Sequence, residues 1–79
     1  MEGEIFKFFV NKGYNVKPLI TKKKKEFSYF FTKPENAYLI TKNKYQENEY
    51  ILYDYMIYGD NYFYFKTLNE LNKIYNRLN

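Results

Sequence analysis

The stretch YILYDYMIYGDNYFYF, residues 50–65, is the most informative part of the sequence because it combines two aromatic strand patterns with a turn signal between them. Its sixteen residues include six tyrosines and two phenylalanines. Gly59 and Asp60 interrupt the aromatic pattern, and a two-residue loop with Gly first suits a type II′ hairpin. The pattern therefore predicts a strand over residues 50–58, a turn at Gly59-Asp60 and a returning strand over residues 61–66.

This hairpin sorts its side chains onto two faces, because residues that oppose each other across a strand pair share a face. One face carries Leu52, Asp54, Met56, Phe63 and Phe65, and the other carries Ile51, Tyr53, Tyr55, Ile57, Tyr62, Tyr64 and Lys66. The Phe and Met face has fewer polar atoms to satisfy, so we expect it to contact a helix, with Asp54 at the rim or paired with a lysine. A slip of one residue would exchange the faces, which is the alternative.

Two amphipathic helices are predicted, one at each end of the chain. Residues 3–12 are predicted as the first, because Gly13 follows where a helix would end and one helical face carries Ile5, Phe6, Phe9 and Val10. A first strand is the alternative, since Phe and Val also favour sheets. In the C-terminal segment, Thr67 and Glu70 have the spacing of a capping box. One helical face there carries Leu68, Leu71, Ile74, Tyr75 and Leu78.

Three further strands are predicted between the first helix and residue 50. In residues 14–20, Pro18 lacks an amide donor and so indicates a strand at a sheet edge or a bulge. The segments EFSYFFTK and AYLIT form a hairpin about the KPEN turn, where Pro34 suits the second position and Asn36 tolerates a positive φ.

These elements predict an α+β fold with a single domain over residues 1–79. It consists of an N-terminal helix, an antiparallel meander of four or five strands and a C-terminal helix packed on one sheet face. The other sheet face is left to water or to a partner. A chain of 79 residues needs a rich core, which its eight phenylalanines can supply.

The composition argues against metal, cofactor and catalytic chemistry. The chain has no cysteine and no histidine, the residues that supply most zinc ligands, many general bases and the nucleophilic thiol. Ser28 has no histidine partner, the three glycines are isolated, and Glu47 and Glu49 lie in a polar stretch where solvated charge explains them. We therefore expect no cofactor, no metal and no enzymatic activity.

The sequence also indicates a location. No apolar run approaches the roughly 20 residues of a membrane span, and the acidic residues before the first apolar group differ from a secretory signal. The absence of cysteine agrees with a reducing compartment. We therefore expect a cytoplasmic protein that begins at its own initiator methionine and makes no membrane contact.

Two surface features are candidate binding sites. Tyr53, Tyr55, Tyr62 and Tyr64, with Lys66, would form a contact platform, because tyrosine offers a large, rigid and amphipathic contact area. The alternative is that cross-strand tyrosine pairs only stiffen the sheet, in a chain whose composition follows AT-rich codons. The run Lys22, Lys23, Lys24 and Lys25, in a chain of net charge +4, would contact phosphates or an acidic surface. A solvated turn is the alternative for these lysines.

In general character the chain resembles small proteins of phages and mobile elements from low-GC bacteria, a group that includes anti-CRISPR proteins. The resemblance rests on size, on a composition rich in lysine, asparagine and tyrosine, and on the stretch NKGYNVKPL, residues 11–19. It implies a non-enzymatic inhibitor that binds a host enzyme or defence protein, and the basic charge argues against DNA mimicry. The alternative is a nucleic-acid-binding module with lysines on phosphates and tyrosines on bases. A homodimer is a third use of an exposed aromatic patch.

Overall fold

The computed structural model describes residues 1–19, 27–55 and 61–79. Its helices and strands, in chain order, are α1 (Glu2–Val10), β1 (Asn15–Pro18), β2 (Ser28–Thr32), β3 (Ala37–Lys42), β4 (Tyr50–Asp54), β5 (Tyr62–Phe65) and α2 (Leu68–Leu78). The strands form one antiparallel sheet in the order β1-β2-β3-β4-β5. The predicted α+β architecture of a helix, a meander and a second helix is therefore confirmed, with five strands.

Helix α1 is followed by a Schellman motif that requires the glycine at position 13. The N–H of Gly13 donates to the carbonyl of Val10 at 2.9 Å, and the N–H of Tyr14 donates to the carbonyl of Phe9 at 3.0 Å. These two bonds define the motif. Gly13 has a φ of 87°, a left-handed conformation that glycine adopts without steric cost. The helix predicted over residues 3–12 is confirmed, and its regular part ends at Val10.

Strand β1 lies at an edge of the sheet, as its proline indicates. The N–H of Leu19 donates to the carbonyl of Ser28 at 2.9 Å. Hydrogen-bonding directions alternate along an antiparallel strand, so the backbone groups of Val16 and Pro18 point away from β2. Pro18 thus occupies a position where the sheet needs no donor. The regular strand is shorter than the predicted residues 14–20, and Ile20 lies outside the described residues.

The β2–β3 hairpin turns at the KPEN sequence, as predicted. The N–H of Lys33 donates to the carbonyl of Asn36 at 2.7 Å, and the N–H of Asn36 donates back at 3.3 Å. Asn36 does not use its tolerance of a positive φ, since Asn48 is the described non-glycine residue that has one. Its side chain contributes instead, because Nδ2 donates to the Tyr14 hydroxyl at 3.0 Å.

The register between β4 and β5 differs from the predicted register by four residues. Tyr53 pairs with Tyr62, whereas a two-residue loop at Gly59-Asp60 would pair Tyr53 with Lys66. The predicted register is therefore wrong. The predicted turn residues, together with Met56, Ile57 and Tyr58, lie outside the described residues.

Core packing explains why this register prevails over the local preference of a Gly-Asp turn. It pairs Tyr50 with Phe65, and their stacked rings lie 5.7 Å apart in the core. It also pairs Leu52 with Phe63 on the same face. Because the shift is an even number of residues, every described side chain of the hairpin keeps its predicted face.

Both helices pack on the same face of the sheet. Phe9 of α1 stacks on Phe31 of β2 with ring centroids 4.4 Å apart, and Phe8 of α1 meets Tyr75 of α2 edge to face at 5.4 Å. The buried core consists of Ile5, Phe9, Tyr14, Phe27, Phe31, Tyr38, Ile40, Tyr50, Leu52, Phe65 and Leu71. The prediction that the phenylalanine face of the last hairpin turns inward is confirmed for its described residues. Asp54 on this face is only 8% exposed, which argues against the rim, the first of the two placements expected for it.

Helix α2 begins with the predicted capping box. Thr67 Oγ1 accepts the N–H of Glu70, and Glu70 Oε1 accepts the N–H of Thr67, each at 3.1 Å. The same carboxylate accepts the N–H of Lys66 at 3.1 Å. Of these interactions, the bond from Lys66 contributes most to holding the pKa of Glu70 below its usual value. The cap satisfies donors that the first turn of a helix otherwise leaves unpaired.

Candidate functional site

The sheet face opposite the helices is the candidate site, and we call it the open face. The strand pairing places on it the side chains of Asn15, Lys17, Ser28, Phe30, Thr32, Ala37, Leu39, Thr41, Ile51, Tyr53, Tyr62 and Tyr64. Tyr55 continues this face beyond β4, and its N–H donates to the carbonyl of Ala37 at 2.9 Å. Solvated faces of antiparallel sheets are usually polar, so an aromatic cluster here requires an explanation.

The rings of the open face contact one another in two groups, one of Phe30 and Tyr55 and one of Tyr53, Tyr62 and Tyr64. Phe30 lies 5.5 Å from Tyr55, Tyr53 lies 5.8 Å from Tyr62, and Tyr62 meets Tyr64 edge to face at 5.7 Å. These centroid separations are favourable for aromatic pairs. Tyr55, Tyr62 and Tyr64 are nevertheless 58%, 44% and 50% exposed. The rings are therefore held in place by their neighbours while much of their surface faces solvent.

All four tyrosines of the predicted platform lie on the open face, and two apolar residues that sequence reasoning missed accompany them. Phe30 and Leu39 lie in the same row across the sheet as Tyr53 and Tyr62. The alternation of EFSYFFTK separates Phe30 from its phenylalanine neighbours. The alternation alone does not place Phe30 beside the tyrosines, because that requires the registers of the β2–β3, β3–β4 and β4–β5 pairs.

The open face carries no acidic side chain among its described strand residues. Its ionisable group other than tyrosine is Lys17 on β1, and Lys66 follows β5; both are exposed. Asp54 of β4 lies on the helix side instead. The described part of the face therefore combines aromatic surface with a positively charged margin.

Of the predicted lysines, Lys66 is the one that the structure describes. Lys66 lies after the end of β5 rather than opposite Tyr53, and its N–H is held by Glu70. Its predicted position opposite Tyr53 depended on the register that proved wrong, and Lys66 lies instead at the margin of the open face. Lys22, Lys23, Lys24 and Lys25 lie outside the described residues, so their role stays a prediction.

Other tyrosines form a partly buried polar cluster on the helix side of the sheet. The hydroxyl oxygens of Tyr14 and Tyr75 lie 2.9 Å apart, and Asn79 Nδ2 donates to the Tyr38 hydroxyl at 3.0 Å. Burial raises the pKa of Tyr14 and of Tyr38. Burial, reinforced by the hydrogen bond with Tyr14, raises the pKa of Tyr75 to about 12. These phenols are protonated at neutral pH and hydrogen-bonded, which is typical of a structural network.

Tyr50 forms a second contact between the sheet and a helix. Its hydroxyl donates to Glu2 Oε2 at 3.1 Å. Burial is the main cause that raises the pKa of Tyr50 to about 12, and the Glu2 carboxylate adds to it. The sequence pattern did not distinguish these inward tyrosines from those on the open face, because their partners are distant along the chain.

A shallow polar groove lies between the start of α1 and the connection from β3 to β4. Its lining residues are Glu2, Phe27, Lys42, Asn43, Lys44, Tyr45, Gln46 and Glu47. Lysines and glutamates both line the groove, so it favours neither anions nor cations. Tyr45 at its margin is 82% exposed and lies away from the open face.

Comparisons with known proteins found no family model, curated protein or solved structure that matches this chain. Among the described residues, no helix has both the length and the apolar character needed to cross a membrane. The function of the chain therefore has to be inferred from the residues of the molecule itself.

Proposed function

We propose that this chain is a small non-enzymatic protein that binds a protein partner through the open face. The observation that carries this proposal is the set of exposed tyrosines, Tyr55, Tyr62 and Tyr64, on a sheet face that no described helix covers. In its biological setting the chain is a cytoplasmic inhibitor of a host enzyme or defence protein, encoded by a phage or mobile element.

The geometry of the open face suits protein recognition. Tyrosine has few rotatable bonds, so it loses little conformational entropy when it is buried against a partner. Contacts such as that between Tyr53 and Tyr62, 5.8 Å apart, restrict the rings further before binding. Preorganised aromatic side chains of this kind are enriched among the residues that dominate binding energy.

The charge of the face indicates the chemistry of the partner. Lys17 and Lys66 lie at its margins, its described strand residues include no carboxylate, and the chain has a net charge of +4. A partner surface with an apolar centre and an acidic rim is complementary to this arrangement. We expect its association rate to fall as salt concentration rises, because rim charges act mainly on diffusional encounter.

The tyrosines on the helix side of the sheet support a non-catalytic role. Tyrosine as a general base or nucleophile needs a pKa that is lowered toward neutrality. Tyr50 and Tyr75 have the opposite perturbation, with pKa values raised to about 12. Their protonated hydroxyls serve as hydrogen-bonding groups between the helices and the sheet.

Affinity capture from the native host tests the proposal. The bait proteins are the wild type, a Tyr53→Ala/Tyr55→Ala variant of the open face, and a Tyr45→Ala variant as the matched control with an exposed tyrosine elsewhere. We expect one protein to be retained by the wild type and the control but not by the open-face variant. Equal recovery of that protein by all three baits would contradict the proposal.

A nucleic-acid-binding role is the second candidate, favoured by the absence of carboxylates from the described strand residues of the open face. Bases would stack on the tyrosines while lysines contact phosphates. Fluorescence anisotropy with single- and double-stranded oligonucleotides at two salt concentrations separates the candidates. Binding that falls steeply with salt supports this role, and no binding at low salt removes it.

A further inference from the structure

The two edges of the sheet differ in their protection against pairing with another strand. Natural proteins protect exposed edges with proline, lysine, bulges or a covering element. Strand β1 has two of these devices, because Pro18 faces outward without a donor and Lys17 is exposed. Strand β5 reads Tyr-Phe-Tyr-Phe, with neither proline nor charge, and no described strand pairs with its outer side.

The backbone of β5 has outward-facing groups at two positions. The N–H of Asp54 donates to the carbonyl of Asn61 at 3.0 Å, which identifies these two as a hydrogen-bonded pair. Because the hydrogen-bonding direction alternates along a strand, the backbone groups of Phe63 also point toward β4. The N–H and C=O groups of Tyr62 and Tyr64 point away from the sheet. These four groups have no backbone partner on that side among the described residues.

The capping box of α2 sets the limit of this unprotected edge. The N–H of Lys66, the next group to face outward, is bound by Glu70 Oε1 at 3.1 Å. The edge therefore accepts a short antiparallel strand across Tyr62 and Tyr64, which is the geometry of β-strand addition. The strand β5 itself satisfies this requirement, because its sequence is self-complementary about Phe63.

We propose that a second copy of this chain pairs its own β5 with this edge, about a twofold axis at Phe63. Tyr62 of each copy then pairs with Tyr64 of the other, and the outward N–H and C=O groups of both residues are satisfied. The half-buried Phe63 meets its symmetry mate on the helix side. The joined sheet doubles the five strands of one copy, a size that open twisted sheets tolerate.

This pairing goes beyond the proposed binding of a protein partner and does not depend on it. The tyrosines of the two copies would lie side by side, so the dimer would have a wider open face than the monomer. The paired strands have no charged residue, and therefore no like charges oppose each other within them. The contact is short, so we expect an equilibrium between monomer and dimer rather than an obligate dimer.

Sedimentation of the purified full chain over a concentration series up to millimolar tests the pairing. We expect the average mass of the wild type to rise from 9.8 kDa toward twice that value. Tyr64→Pro removes an outward N–H without removing a bond to β4, so this variant stays monomeric. Tyr62→Lys places a charge on the edge, opposite Tyr64 of the other copy and diagonally across from its own symmetry mate, and also stays monomeric. Tyr53→Ala, on the same face but one strand inside the edge, removes no backbone group of β5 and dimerises like the wild type.

Amide hydrogen exchange measured by NMR supplies a second readout at the edge and shows that each variant is folded. The amide protons of Tyr62 and Tyr64 gain protection as the wild-type concentration rises. A wild type that stays monomeric throughout the series overturns the proposal. Dimerisation of both edge variants to the wild-type extent overturns it as well, because the contact would then lie elsewhere. Loss of the dimer in Tyr53→Ala alone would assign the contact to the open face and has the same consequence.

Discussion

Replacement of Tyr50 by phenylalanine tests how the buried hydroxyls are linked to stability. The Tyr50 hydroxyl donates to Glu2 at 3.1 Å, and burial is the main cause that raises the pKa of Tyr50 from 10.0 to about 12. Above pH 10 the unfolded chain loses this proton before the folded protein does. The stabilisation associated with the raised pKa is therefore complete below pH 10 and is lost as the pH rises to about 12.

The magnitude follows from the pKa difference. One pKa unit corresponds to about 1.4 kcal/mol, and the shift from 10.0 to about 12 then gives up to roughly 2.7 kcal/mol. We reduce this figure to about 2 kcal/mol because the carboxylate partner, Glu2, is exposed to water and screened by it. At neutral pH the Tyr50→Phe variant loses about 1 kcal/mol, the usual net value of a hydrogen bond.

Urea denaturation at a series of alkaline pH values measures both effects. We expect the unfolding free energies of wild type and Tyr50→Phe to converge above pH 10 and to cross before pH 12, because the variant lacks the ionisable group. Tyr62→Phe on the open face, where the ring is 44% exposed, is the matched control and should follow the wild type. A difference between wild type and Tyr50→Phe that stays constant over this pH range would contradict a raised pKa of Tyr50 in the folded protein.

Three further substitutions test the packing, each by urea denaturation. Gly13→Ala should cost about 1–2 kcal/mol because the φ of 87° strains any side chain; unchanged stability would argue against the Schellman motif. Thr67→Ala should cost about 1 kcal/mol through loss of its bond from the Glu70 N–H, and an unaffected α2 would exclude the cap. Phe9→Ala should cost about 3–5 kcal/mol because this fully buried ring stacks on Phe31 at 4.4 Å; a cost below about 1 kcal/mol would contradict its central place in the core.

The helices and the sheet edge were accessible from sequence because their signals are local. The capping residues Thr67 and Glu70 lie three positions apart, and Gly13 marks the end of α1 through its own backbone preference. Pro18 indicates an edge strand because a proline removes one ladder donor. Each of these inferences needs only the residue and its nearest neighbours along the chain.

The register of the last hairpin was not accessible in the same way. Gly59-Asp60 is a strong local turn signal, yet the observed register follows the pairing of Tyr50 with Phe65 in the core. Core pairing depends on residues of α1 and β2 that lie far away in sequence. The predicted faces of the hairpin are nevertheless correct, because side chains alternate with a period of two and the register error is an even number of residues.

The division of the tyrosines between core and surface needs tertiary information as well. Tyr14 and Tyr38 are buried because Asn36 and Asn79 supply hydrogen bonds to their hydroxyls. Tyr55 has the same chemistry but lies on the face that the described helices leave uncovered. Composition cannot distinguish the buried tyrosines from the exposed ones, whereas the strand pairing assigns each tyrosine to one face of the sheet.

The affinity of a captured partner for matched tyrosine variants measures whether the open face is the binding surface. Calorimetry with the purified partner would compare Tyr55→Ala on the open face with Tyr45→Ala, whose tyrosine is 82% exposed elsewhere. We predict that Tyr55→Ala weakens binding at least about tenfold, or about 1.4 kcal/mol, and that Tyr45→Ala binds like the wild type. Equal affinities for wild type and Tyr55→Ala, or a loss confined to Tyr45→Ala, would contradict the assignment of the open face as the binding surface.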